Sequence, residues 1–398
     1  MGGGTGAGTS RVAVTGLGAV TSLGSGAERF FDALLEGRHG LREVTLFPRE
    51  RFRASLAAEA DAAGGFGEGP ERDRAYRLAL AAACEAVGGS GASLAGPRCA
   101  LSVGTTLGGN RLYTAWLAAA GGAPPPSGDE MGSAARLLAE RFGVTGRCAT
   151  LSVACASGTA ALGLAFLLIR RGEAERVLCG GFDALSDFVF SGFDALRALS
   201  PGRARPFDAR RDGLVLGEGA GFLVLEAEAA ARARGAAVRA WVRGYGSAAD
   251  AHHMTRPSPS GEGLVRAVRA ALEDAGIAPS DVSAISAHGT ATVFNDRMEA
   301  NAFGTVFGEG SRRVPVDSIK GAIGHTLGAA GALEAVMSVQ ALERRLLPPT
   351  AGFEEPDPSC PLDVVAGPPR PLPEEARFLL STSSAFAGTN AALVLERA

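Results

Sequence analysis

The chain has 398 residues, 46% of them hydrophobic and 20% charged, with a formal net charge of -3 at pH 7. This balance excludes a strongly basic nucleic-acid binder, and no apolar run reaches the ~18 residues expected of a membrane span. The length exceeds what one hydrophobic core usually organises, so about two domains or two fused halves are expected.

Residues 1–10, "MGGGTGAGTS", read as a flexible tail, without the cationic start and unbroken apolar stretch of a secretory signal. From there short apolar runs bounded by glycine alternate with Ala/Leu-rich helical segments. The first pass takes in "RVAVTGLGAV", "AERFFDALLEG", "CALSVGTT", "SAARLLAERFG", "ATLSVACAS", "TAALGLAFLLIRRG" and "AERVLCGGFDAL". The second takes in "VRAWVRGYG", "GLVRAVRAALEDAGI", "VSAISAHGT", "VPVDSIKG", a long helix from about Leu327 to Arg344, "RFLLSTSS" and "NAALVLERA". This alternation predicts an α/β protein with buried, largely parallel strands. The passes divide at 11–235 and 236–398, two halves of similar design without a residue-level repeat. The proline-rich segments "GGAPPPSG" and "AGPPRPLP" read as surface loops. A soluble cytoplasmic protein is the default, in which the six cysteines, none in a CxxC pair, are free thiols.

Four stretches carry side chains suited to chemistry. In "LSVACASGTAALG", Cys155 stands where a strand gives way to a small-residue helix. The free N–H groups and dipole of that helix end are expected to lower the thiol pKa, and the same N–H groups can receive an oxyanion. Taken alone, Cys155 is better read as a small buried hydrophobe at a tight crossing. In "AISAHGTATVFND", His288 closes a strand ahead of Thr290 and Thr292, a polar turn able to hold an elongated ligand; a strand-end histidine by itself is more often structural.

In "VDSIKGAIGHT", Lys320 and His325 flank Gly321 and Gly324, which predicts loop backbone and basic groups aimed into a cavity. Of 39 Lys and Arg residues Lys320 is the single lysine, which points to a place where a compact ammonium serves and a guanidinium does not. The helix that follows carries Glu334. The fourth stretch, "TSSAFAGTNAALVL", is a small-residue loop with one aromatic, Phe386, whose plainer reading is a hydrophobic plug. Together, a cysteine, two histidines and a lysine on strand-end loops form a nucleophile with bases and a positive charge. No metal or organic cofactor site is apparent.

With "ACASG", "AHGTAT...ND..EA", "SIKGAIGHTLGAAGALE" and "AGTNA" in this order, the chain resembles the β-ketoacyl-acyl carrier protein synthases, the condensing enzymes of fatty acid and type II polyketide synthesis. The resemblance runs from "RVAVTGLGAVTSLG" to "GTNAALVLE". It implies a thiolase-like fold, two βαβ-type halves in α/β/α/β/α layers. It also implies that Cys155 takes an acyl chain from an acyl carrier protein, that the N–H groups of Cys155 and Phe386 form an oxyanion hole, and that His288 and His325 hold a malonyl thioester while CO2 leaves. Lys320, paired with Glu334, would set the local field; Thr290 and Thr292 would contact the phosphopantetheine arm, delivered on the substrate; Arg197 would meet the acidic carrier.

Three departures stand out from the family's pattern. Its loop Asn-Ser-Phe-Gly-Phe-Gly-Gly-Thr-Asn is here "TSSAFAGTN", with Ala385 and Ala387 for the glycines beside the presumed gate Phe386. "LSPGRARPFD" is shorter than usual, and "GGAPPPSGDEMGSAARLL" differs where a dimer partner helps close the acyl pocket. The altered gate favours a specialised polyketide, aryl-polyene or unusual fatty acid substrate. The chain would act as a homodimer or with a chain-length-factor-like subunit. The alternatives are that it is itself such a factor, or a non-decarboxylating thiolase or thioester hydrolase, and Cys360, in a proline-rich loop, is a poor second thiol for the latter.

Overall fold

The computed structural model describes residues 11–60, 73–119 and 131–398. The proposed tail and the "GGAPPPSG" loop lie outside them.

The strands of the main sheet are β1 (Val12–Thr21), β2 (Cys99–Gly104), β3 (Cys148–Leu151), β4 (Arg176–Asp183), β5 (Gly219–Ala227), β6 (Ala240–Ala249), β7 (Val282–Ser286), β8 (Pro315–Asp317), β9 (Asp363–Val364), β10 (Phe378–Ser384) and β11 (Thr389–Arg397). The helices that matter below are α1 (Arg74–Ser90), α2 (Ser157–Arg170), α3 (Asp187–Ala195), α4 (Glu262–Ala275), α5 (Val293–Phe307), α6 (Lys320–Ile323) and α7 (Ala330–Arg344).

Strand order is β9-β8-β7-β10-β11-β6-β1-β5-β4-β2-β3 within one 12-stranded sheet, with the short strand Gly24–Ser25 paired to β1 off this path. Outward from the β1–β6 seam the two halves repeat one plan. β1–β5 and β5–β4 are antiparallel, β4–β2 and β2–β3 parallel. On the other side β6–β11 and β11–β10 are antiparallel, β10–β7 and β7–β8 parallel. The seam itself pairs Val12, Ala13 and Val14 with Val242, Trp241 and Ala240. The expectation of largely parallel strands is therefore corrected: each half keeps parallel strands at its outer end and antiparallel ones next to the seam. Uninterrupted apolar runs misled here, because β1 and β10 are buried along their whole length for want of a solvent face, whatever their direction.

The helices sort themselves into layers by how much of their circumference is apolar. α7 is buried on every side from Ala330 to Leu342, and α2 is buried at most positions from Ser157 to Ile169. A helix apolar all round belongs in the middle of a protein. Both lie there, touching each other and strands of both halves. α1 and α4 are one-sided. α1 covers β1, β5 and β4; α4 buries Leu264, Val268, Ala271 and Leu272 against β6 and β11. α1 begins at Asp73, whose side chain accepts from the Ala75 N–H at 2.7 Å, and ends at Gly91 in the left-handed region (φ 63°). The result is the layered α/β architecture that the resemblance implied. The chain leaves β3, β7, β8 and β10 at carboxyl ends gathered on one side, where loops can carry chemistry.

Candidate active site

Cys155 sits in the tight turn between β3 and α2. The turn is closed by Ser157, whose hydroxyl donates to the Ala154 carbonyl at 2.6 Å and accepts the Val153 N–H at 2.9 Å. Ala154 is held at φ 50°, a left-handed conformation costing an alanine about 1 kcal/mol. The smallness of "ACASG" has a steric cause. A Cβ on Gly158 would lie 2.8 Å from both the Ala332 nitrogen and the Gly328 carbonyl oxygen, so glycine lets α2 start against the N-terminus of α7.

Strand β7 delivers His288, and α5 locks it. The N–H groups of His288 and Gly289 donate to the two oxygens of Glu299 at 2.8 and 2.6 Å, and the Asn295 amide donates to Glu299 at 2.8 Å. Burial, with Asp296 nearby, pushes Glu299 up to about 7. His325 is reached through one helical turn, α6, so the loop expected around Lys320 is corrected to a short helix ended by Gly324 at φ 67°. A Cβ on Gly324 would lie 2.9 Å from the Leu216 carbonyl group. The His325 N–H then donates to Val215 at 2.7 Å, and its carbonyl accepts from Gly217 at 2.9 Å.

These elements bring the three groups together. His325 Nε2 lies 3.0 Å from Cys155 Sγ, and the two imidazoles meet edge to face with ring centres 5.1 Å apart. All three donor atoms lie within 4.8 Å of one another and all three residues are buried. Burial first, and the Lys320 charge second, hold both histidines well below the usual histidine range, so both are neutral at neutral pH. Burial pushes the Cys155 thiol up to about 12, in spite of Lys320 and the Phe386 N–H, which favour the thiolate. The expectation of a lowered thiol pKa is corrected, because desolvation outweighs the helix end. At rest the site holds a thiol and two neutral imidazoles.

Lys320 does not enter the cavity. It is 2% exposed and ion-paired with Glu334 on α7. Ser383 donates to Glu334 at 3.4 Å and exchanges a 2.8 Å hydrogen bond with Thr159 on α2. The pair acts on the histidines as a buried field, and a nearby carboxylate belongs to the same charge cluster. Asp317 ends β8, fully buried, with neither oxygen hydrogen-bonded within the described structure, and burial and Glu334 push it well above the usual carboxylate range.

The cavity over the thiol has a volume of about 560 Å³. Cys155, His288 and His325 form its floor; Thr290 and Thr292, hydroxyls 2.9 Å apart, stand in its wall, and Arg197 stands among its lining residues. Ser384, Ala385, Phe386 and Ala387 line the side where β10 ends. The Phe386 N–H points at the Cys155 sulfur, and its ring stacks on Phe193 of α3 at 5.6 Å. Ala387 takes φ 65° and its N–H donates to the Met254 carbonyl at 2.7 Å. Cys360 packs in the outer core with α4 and α5, away from the cavity.

Sequence reasoning missed Glu299, Asp317, Ser383 and Phe193. Glu299 had a signal, three residues after Asp296 on the same helix. The others gave none, since their importance comes from neighbours distant along the chain.

The family described as "Beta-ketoacyl synthase, N-terminal domain" matches residues 9–231, and "Beta-ketoacyl synthase, C-terminal domain" matches residues 239–354. A putative polyketide beta-ketoacyl synthase 1 of Streptomyces cyaneus is 40% identical, over 97% of this chain and 98% of its own. The 3-oxoacyl-[acyl-carrier-protein] synthase 2 of Staphylococcus aureus (strain COL) is 34% identical over 97% and 98%. Among solved structures, the ishigamide ketosynthase/chain length factor superposes with a TM-score of 0.92 at 37% identity, over 98% of this chain and 100% of that one. A type II polyketide ketosynthase, AntDE, in complex with the acyl-carrier protein AntF gives 0.89 at 31% identity, over 98% and 100%. With both halves matched and the length spanned, the chain belongs to the beta-ketoacyl synthase family.

Proposed function

We propose that this protein catalyses the decarboxylative condensation of an acyl group on Cys155 with a malonyl-acyl carrier protein. The observation that carries the reading is Cys155 Sγ at 3.0 Å from the Nε2 of a neutral His325, with a second neutral imidazole beside it.

In the first half-reaction Cys155 attacks the thioester carbonyl of an acyl carrier protein. Its proton passes to His325 Nε2 and on to the departing carrier thiolate, while the carbonyl oxygen takes negative charge between the N–H groups of Cys155 and Phe386. A thiol of high pKa makes a strong nucleophile once deprotonated, so transfer to His325 coincides with attack.

Between the half-reactions the neutral His325 changes tautomer, its proton leaving Nδ1 and Nε2 gaining one through solvent, and the malonyl thioester oxygen then accepts hydrogen bonds from His288 and His325. The C–C bond to the carboxylate breaks, CO2 leaves with no proton attached, and the electron pair becomes the enolate. A neutral N–H donor suits that oxygen, since it stabilises developing charge without quenching the carbon nucleophile. The enolate carbon bonds to the acyl carbonyl, the C–Sγ bond breaks, and the Cys155 thiolate takes one proton from solvent per turn, replacing the one that left on the carrier thiol. Burial, helped by the charge of Lys320 held by Glu334, keeps both histidines neutral. Thr290 and Thr292 would contact the phosphopantetheine arm, Arg197 the carrier protein, and Phe386 would gate the acyl side.

No cofactor of the protein's own enters this scheme, and no helix among the described residues is long and apolar enough to cross a membrane. A cytoplasmic enzyme is the matching proposal. The structural relatives support two kinds of partner, a carrier protein and a chain-length-factor-like subunit, and a homodimer is the alternative assembly. A role as such a factor is the second reading; the intact Cys-His-His floor weighs against it, and the position of Cys360 weighs against a thiolase.

The test is intact mass after mixing with acyl carrier protein thioesters, followed by malonyl carrier protein. An adduct on Cys155 that leaves as a chain two carbons longer is expected. Adduct formation without discharge would refute the condensation.

A further inference from the structure

The outer part of the cavity carries a feature that the scheme above does not use. Residues 250–260 form a loop at its mouth, and Arg256 lines the cavity from there. The guanidinium lies over the Phe294 ring, 5.1 Å from its centroid, and Phe294 is itself 59% exposed. Among the described residues Arg256 has no carboxylate partner. The acidic side chains that line the same cavity are committed elsewhere. Asp250 accepts from the Asn390 amide at 2.8 Å and the Ser258 N–H at 2.9 Å, and Asp212 accepts from Ser200 at 2.6 Å. The turn beneath Arg256 is fixed, since His253 Nδ1 accepts the N–H groups of Thr255 and Arg256 at 3.1 and 3.3 Å.

An exposed arginine stacked on an exposed ring, without an acid, is a guanidinium whose orientation is set before its ligand arrives. Ordering it costs little further entropy, and its fork matches two oxygens of a phosphate. The cavity then presents three chemistries: thiol and imidazoles at the floor, paired threonine hydroxyls in the wall, and a free guanidinium at the mouth. A phosphopantetheine arm presents the counterparts in one molecule, as thioester, amides and phosphate.

We propose that Arg256, seated on Phe294, is the phosphate-binding residue for the phosphopantetheine arm. The inference rests on the carrier-dependent reading above and separates it from Arg197, which that reading assigns to the carrier protein itself. Arg256 therefore reads the arm whatever protein bears it.

The experiment compares acylation of Cys155, followed by intact mass at low ionic strength, from two small donors, an acyl-phosphopantetheine and the same acyl-pantetheine without phosphate, alongside the carrier-bound donor. In the wild type the phosphorylated donor is expected to react about tenfold faster at sub-saturating concentration, as a charge-assisted contact implies. The ratio should fall to about one in Arg256→Ala, recover in part in Arg256→Lys, and shrink in the wild type as salt rises. A ratio that stays at its wild-type value in Arg256→Ala overturns the proposal. So does a loss confined to the carrier-bound donor, which would assign Arg256 to the carrier's surface. Failure of every donor to label the wild type would instead sink the condensing-enzyme reading, and the inference with it.

Discussion

Removal of the single lysine tests the electrostatics of the site most directly. In Lys320→Ala the buried cation disappears, and Glu334, left alone in a buried setting that already raises its pKa, takes up a proton. The histidines then lose the positive charge that helps hold them neutral, and their pKa values rise. Desolvation, the larger cause for both, remains, so the rise is partial. In the proposed scheme acylation of Cys155 requires His325 to accept a proton, so its rate falls on the acid side where His325 is protonated. The acid limb of the acylation rate against pH is expected to move upward in Lys320→Ala. Lys320→Arg keeps the charge but must fit a larger planar head into a site 2% exposed, at an overpacking cost of about 1–3 kcal/mol. Single-turnover acylation measured by intact mass from pH 5 to 9 supplies both curves. An unmoved acid limb in Lys320→Ala, with the fold intact by circular dichroism, would show that burial alone keeps the histidines neutral.

Three further outcomes are expected. Cys155→Ala should form no acyl adduct while keeping the wild-type melting temperature within about 2 °C, because a sulfur at a cavity floor is lost without opening a sealed void; residual condensation would exclude the covalent route. Ala385→Gly with Ala387→Gly should change the preference among acyl chain lengths, since Ala387 sits in the left-handed region and glycine relieves about 1 kcal/mol in the closed loop; an unchanged ranking would separate this loop from substrate choice. Asp317→Asn should stabilise the fold, and more so as pH rises. Asp317 is raised in the folded state, so ionising it is penalised there and free in the unfolded chain. The penalty is absent below about pH 4, the ordinary aspartate value, and grows as pH climbs towards the raised folded value. A melting-temperature gain that stays flat or shrinks between pH 5 and 8 would contradict this.

The residues of the candidate site can be picked out of the sequence one stretch at a time, whereas strand direction cannot, for a physical reason. Cys155, His288, Lys320 and His325 each stand beside glycine or alanine at the end of an apolar run, and a chemical side chain at a strand end is visible one stretch at a time. Strand direction is not local. β11 is buried along nearly its full length and reads as a parallel-sheet strand, yet it is antiparallel to both neighbours, because the middle and outer helices cover both faces of the sheet. The helix-end argument for Cys155 failed in the same way. It weighed a dipole that the sequence reveals against a burial that it does not, and at a fully buried sulfur burial decides.

That failure changes how the lone lysine is understood. Were Cys155 a resting thiolate, a cation nearby would serve mainly to stabilise it. With the thiol pushed to about 12 and both histidines neutral, the floor carries no charge before substrate arrives, and the Lys320–Glu334 pair adds field without net charge. Such a floor can bind a thioester without first binding an ion, and becomes ionic only as a bond forms or breaks. A guanidinium would keep the charge, but its wider fork would demand more acceptors than Glu334 offers in a site closed to water. The ammonium meets Glu334 directly, with Ser383 bracing the carboxylate and Thr159 tying that brace to the helix that follows Cys155. If that chain of contacts sets the field, Ser383→Ala removes a hydrogen bond that favours ionised Glu334, leaves the Lys320 charge less compensated, and should move the acid limb of acylation opposite to Lys320→Ala by a smaller amount. An acid limb unchanged in Ser383→Ala but shifted in Lys320→Ala would confine the effect to the charge pair alone.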